Sequence, residues 1–151
     1  MKPFFKFLYH LFRMIWLWLK PLPMGVRVIM VRDEQIYLVK HIYEDYWYVP
    51  GGTVERGETL EQSIRREAWE EAGATLNDLQ LFGVYSHIEF KKSSHIVVFT
   101  SQDFSLNGES DLEIEASGFY PLMDLPENIS PGVLHRIEEF KIGKRVSFGT
   151  W

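Results

Sequence analysis

Residues 4–19 are apolar at every position except Lys6, His10 and Arg13. Spacings of four and three residues would line those polar side chains along one narrow stripe of a helix. Pro21 and Pro23 mark its end. The longest run without one of those three residues is 14–19, far short of the roughly 18–20 apolar residues that span a bilayer. Arg13 would add about 2.5–3.5 kcal/mol to insertion. From Gly25 the pattern becomes that of strands. Residues 26–31 and 36–41 are β-branched and apolar, with a hairpin turn at 32–35. Residues 46–49 form a third extended run, stopped by Pro50-Gly51-Gly52. A helix is predicted over residues 59–72, with Thr59 and Gln62 as a capping box and Gly73 just past its end. Strands follow at 79–90 and 95–104 around a turn at 91–94, then a polar loop at 105–111 and an extended stretch at 114–122. A last helix opens near Pro131 and runs to about Ile142. Strands on both sides of a central helix indicate an α+β fold, an α/β/α sandwich. Residues 1–24 form an N-terminal helix and linker, and 25–151 a single domain.

The central helix carries a pattern that plain amphipathicity does not explain. With Leu60 at zero on a helical wheel, Ile64, Ala68 and Ala72 fall at about 40°, 80° and 120°. Glu71 falls at about 20°, inside that apolar stripe, while Glu67 and Glu70 lie along its edge at about 340° and 280°. A solvated acidic face would lie opposite. Carboxylates on the buried side must be paired or must bind metal, because a bare buried charge is too costly. Hard cations such as Mg²⁺ or Mn²⁺ prefer such all-oxygen sets. The competing reading is a salt-bridged helix using Arg65 and Arg66, with Arg66 reaching Glu70 four residues on.

Composition sharpens this. The 151 residues contain no cysteine, which removes disulfides, zinc–thiolate sites and cysteine nucleophiles. The net charge is −5, but residues 1–32 hold six bases and no acid, so the remainder carries ten bases and twenty-one acids. An acidic body is poorly suited to stable nucleic-acid binding and better suited to collecting divalent cations.

Residues 52–74 resemble the Nudix box, G-x5-E-x7-R-E-U-x-E-E-x-G-U with U a bulky apolar residue. Gly52, Glu58, Arg66, Glu67, Glu70, Glu71 and Gly73 match every fixed position; Ala68 and Ala74 are small for the two U positions. Seven residues at fixed spacing make a specific signal. The similarity extends to the Trp47–Gly52 run before the box and to the stretch from Glu113 through Phe119 to Pro126. The resemblance implies a Nudix fold with a mixed sheet between helices. It implies metal-dependent hydrolysis of a pyrophosphate bond in a nucleoside di- or triphosphate or nucleoside diphosphate derivative. It further implies Mg²⁺ or Mn²⁺ on Glu67, Glu70 and Glu71, with the Gly51 carbonyl as a further ligand. Glu58 and Arg66 would form a pair that steers the helix and holds Glu67. The general base would be Glu67 or a residue of a later loop, here Glu113 or Glu115. Trp47, Tyr43 and Phe119 are candidates to stack on a base. The alternative function is a Nudix-fold sensor that binds a nucleotide without cleaving it.

Family subgroups leave no further signature. The proline expected about fifteen residues after the box for ADP-ribose pyrophosphatases is absent between Ala74 and Phe104, and Phe90 and Lys91 stand where dinucleoside polyphosphate hydrolases carry tyrosine. The isomerase branch needs a cysteine. For residues 3–19 the open readings are docking on the chain's own domain or on a partner subunit, peripheral membrane contact, or a signal or anchor. A cytoplasmic protein, membrane-associated through this segment or homodimeric, is the resulting expectation.

Overall fold

A computed structural model of the chain describes residues 22–89 and 92–151. The N-terminal helix expected over 4–19, and Phe90 and Lys91, lie outside these. The strands are β1 (Met24–Arg32), β2 (Gln35–His41), β3 (Trp47–Tyr48), β4 (Ala74–Leu76), β5 (Gln80–Glu89), β6 (Lys92–Ser101), β7 (Phe104–Leu106), β8 (Ile114–Pro121) and β9 (Ser147–Thr150). The helices are α1 (Leu60–Ala72) and α2 (Pro131–Lys141).

The large sheet runs β3-β2-β1-β6-β5-β9, with β8 also paired to β2. It is mixed. β1 and β6 run parallel at its centre and β5 and β9 at its end, whereas β1–β2, β2–β3, β2–β8 and β5–β6 are antiparallel. β4 and β7 make a separate two-stranded ribbon. Alternation along β1 sends Val26, Val28 and Met30 to one face, against Ile64, Ala68 and Ala72 of α1. Ile29 and Val31 point to the other, against Val133 and Ile137 of α2. Among the described residues the α/β/α sandwich is therefore realised with one helix on each face.

The central helix starts and stops as its sequence predicts. Gln62 N–H donates to Thr59 Oγ1 at 3.2 Å while Thr59 N–H donates to Gln62 Oε1 at 2.8 Å. Gly73 takes φ 59° and its N–H closes the last turn on Trp69 O at 2.9 Å. The first hairpin is tight, with Asp33 and Glu34 both at positive φ, the geometry that suits two-residue turns.

Three short elements were not expected. β4 lies between Gly73 and the strand expected from 79, β7 runs from the end of the strand expected over 95–104 into the polar loop, and β9 lies beyond the last helix. Each is three or four residues long, too short for periodicity to register.

Gly73 tests the helix stop. Its left-handed backbone and the Gly108 carbonyl, which a Cβ would strike, both resist a side chain. Gly73→Ala should cost about 1–3 kcal/mol in denaturant unfolding; a loss below about 0.5 kcal/mol would contradict this reading.

Candidate active site

Arg66 occupies the middle of the box. Its Nε and Nη2 grip Glu58 at 2.7 and 3.0 Å, while Nη1 reaches Glu67 and Glu70, each at 2.9 Å. Nη2 also leans on Thr53 O at 3.3 Å and Ser63 Oγ at 3.4 Å. Arg66 thus ties the loop before the helix to two of its carboxylates. The forked bond to Glu58 has the planar two-point geometry that only guanidinium supplies. The Arg66 hydrogen bonds hold the Glu58 carboxyl far below its usual range, at about 2, and Glu58 in turn drives the Arg66 pKa up.

The three box carboxylates differ in burial as the wheel orders them. Their side chains are 11% exposed at Glu71, 13% at Glu67 and 39% at Glu70. Burial pushes the Glu67 carboxyl upward, against the pull of Arg66. Gly52 lies so close to Glu67 that a Cβ there would displace its carboxylate.

Glu71 is held from two sides. Oε2 accepts from Gly51 N–H at 2.9 Å, and Oε1 lies 2.7 Å from His41 Nε2. The hydrogen bond to Glu71 raises the His41 pKa despite burial. The His41 ring stacks on Tyr43 at 5.2 Å and meets the edge of Tyr48 at 6.2 Å. His41 Nδ1 is buried without a hydrogen-bond partner among the described residues. The Gly51 carbonyl accepts from Arg27 Nη1 at 2.7 Å, so a cation using that oxygen would share it with a guanidinium.

A cleft of about 60 Å³ gathers His41, Glu67, Glu70, Glu71, Asp111, Glu113 and Ile114. Glu113 Oε2 accepts from Tyr43 O–H at 3.4 Å. Glu115 lies off this cleft, paired with Lys40 at 2.9 Å. Of the three aromatic candidates, only Tyr43 stands beside the carboxylates. Trp47 packs edge-on against Tyr120 in the layer under α2, and Phe119 packs between Tyr37 and Phe104. Strand alternation explains this, since both side chains project into packed layers.

Two cleft residues went unread in the sequence. His41 shares a strand face with Tyr37 and Val39, the face under α1, and that parity was the available signal. Asp111 had none; its backbone N–H docks on Glu70 O at 2.8 Å, a tertiary contact.

Among the described residues, no three His, Asp or Glu side chains converge into a ready cage for an ion. The donor set nonetheless fits a hard divalent cation. It is all carboxylate and carbonyl, and Mg²⁺ is commonly held by one or two carboxylates together with substrate phosphates.

The chain matches the family model described as NUDIX domain over residues 21–140. It is 29% identical over 132 residues to "Uncharacterized Nudix hydrolase YvcI" of Bacillus subtilis, covering 82% of each chain. It is 31% identical over 104 residues to an ADP-ribose pyrophosphatase of Methanocaldococcus jannaschii, covering 66% of this chain and 62% of that one. Among solved structures, a MutT NUDIX hydrolase from Burkholderia pseudomallei superposes with TM-score 0.69 at 29% identity, over 77% of this chain and 95% of that one.

The Glu58–Arg66 pair makes a pH prediction. A carboxylate whose folded pKa is lowered from 4.5 to about 2 stabilises the fold fully above the upper value and stops doing so as pH falls through the lower. The melting-temperature gap between the parent chain and Glu58→Gln should be constant near neutral pH and shrink between about pH 4.5 and 2. A gap that stays constant over that range would contradict the pairing.

Proposed function

The chain belongs to the NUDIX domain family and is a hydrolase of that family, and from that premise we propose that Glu67, Glu70 and Glu71 hold the divalent cation with which it cleaves a nucleotide pyrophosphate bond. The observation that carries this reading is the convergence of the box carboxylates with Glu113 on one cleft. When bound, Mg²⁺ or Mn²⁺ would neutralise pyrophosphate oxygens and acidify a water.

The chain's own residues supply the rest. Arg66 fixes Glu67 and Glu70 in place and prevents their mutual repulsion from splaying them. We assign proton removal from the attacking water to Glu67, which Arg66 holds at the cleft. The water oxygen then bonds to phosphorus as the bridging P–O bond breaks, and the other phosphoryl group leaves with that electron pair as its oxyanion. Glu113 sits across the same cleft as the other base candidate, and its Tyr43 neighbour offers a ring for a nucleobase or sugar. Glu115 has no part, being committed to Lys40.

The substrate class is a nucleoside di- or triphosphate or a nucleoside diphosphate derivative. One relative carries the name ADP-ribose pyrophosphatase, so that compound belongs beside the nucleotides in any panel. Membrane association and dimer formation stand as separate expectations. Among the described residues no helix is long and apolar enough to cross a membrane.

A hydrolysis panel with Mg²⁺ and product identification tests the reading. Glu70→Gln should lose at least about a hundredfold in rate with an unchanged circular dichroism spectrum. Retained activity would sink the ligand assignment, and a silent parent chain with tight nucleotide binding would favour a sensor. In the same assay Glu67→Gln should fall by about 10²–10⁴, Glu113→Gln by less, and Glu115→Gln should match the parent. A larger loss at Glu113 would reassign the base.

A further inference from the structure

The sheet face that α1 covers is only partly covered. Val26, Val97, Val84 and Phe148 form one row across β1, β6, β5 and β9. Exposure climbs along it: Val26 is 0%, Val97 3%, Val84 40% and Phe148 90%. Ile88 of β5 lies on this same face by alternation, and Leu81 joins it because the bulge between Leu81 and Gly83 sets it opposite Phe99; both are exposed. Beside this strip a groove of about 470 Å³ opens between the first turn of α1 and the sheet, lined by Leu60, Arg65, Leu79, Leu81 and Phe99 among others. Exposed apolar side chains gathered beside an open groove mark a surface suited to being covered.

We propose that residues 4–19 of the same chain cover it as a helix, with Lys6, His10 and Arg13 turned to solvent. Three observations select this occupant. The first is where the chain enters the sheet. His95 N–H donates to Pro23 O at 3.1 Å, and Met24 pairs with His95, His95 with Ser86, and Ser86 with Thr150. The segment preceding Leu22 therefore leaves from the row that crosses to the uncovered strands, and Met24 lies on the patch's own face.

The second is length. Sixteen helical residues span about 24 Å. From His95 to Phe99, at the groove, is four residues, or about 13 Å of strand. One helix can run from the entry row into the groove and past it. The third is composition. A helix apolar on nearly every side needs more than one wall, and the groove offers two, the flank of α1 and the sheet.

Limited trypsin digestion of the full chain tests this, following cleavage after Arg13 by fragment mass. The comparison chains are Leu81→Asp/Val84→Asp and, at a position exposed enough to tolerate charge, Phe148→Asp alone. If the segment docks, the parent is monomeric by light scattering, and cleavage after Arg13 is at least tenfold faster in the double variant and at least threefold faster in Phe148→Asp. Equal rates in all three chains would overturn the proposal. So would protection that disappears on dilution together with a dimer, which makes a second copy the occupant. Protection seen only with anionic phospholipid vesicles would overturn it in favour of a lipid surface.

Discussion

The site depends on one guanidinium. Glu67 and Glu70 project from neighbouring turns toward the same cleft, and two carboxylates so placed repel each other. Arg66 Nη1 sits between them at 2.9 Å from each. It can do so because its other edge is anchored on Glu58, which comes from the loop before the helix. Without that anchor a long, flexible side chain would have many alternatives; with it, the guanidinium plane is set and the carboxylates align to it. The same contacts fasten the loop to the helix.

Glu71 is organised independently, and from the other side. Gly51 N–H and His41 Nε2 hold its two oxygens, so the turn between β3 and α1 and the end of β2 are both fixed through one buried carboxylate. The two arrangements meet at Gly52, where the backbone passes so close to Glu67 that a Cβ would displace its carboxylate. The box is thus a network in which backbone shape, a buried acid and a charged fork constrain one another. It leaves Glu70 the most exposed of the three acids.

Much of this was legible in the chain. The wheel placed Glu71 inside the apolar stripe and Glu70 outermost, and burial follows that order because the stripe of Ile64, Ala68 and Ala72 packs on the sheet and sets the helix's rotation. The cap residues Thr59, Gln62 and Gly73 are local chemistry and were readable as such. What was not readable depends on partners distant in sequence. His41 meets Glu71 across thirty residues, and Asp111 joins the cleft only because its loop docks on the end of α1. Trp47 and Phe119 were candidates by residue type, but strand parity turned both into packed layers. Nothing in residue type distinguishes them from Tyr43, which the strand end leaves exposed. The short strands β4, β7 and β9 are held by pairing with other segments, so their own three or four residues carry little pattern.

The central claim is that the fork of Arg66, and not its charge alone, arranges the carboxylates for a divalent cation. Arg66→Lys keeps the charge and removes the two-point grip on Glu58. The decisive measurement is the Mn²⁺ dissociation constant of this variant and of the parent chain, read from free Mn²⁺ by electron paramagnetic resonance. The account predicts a dissociation constant weakened at least about tenfold in a chain that remains folded. Equal affinity in the two proteins would contradict it.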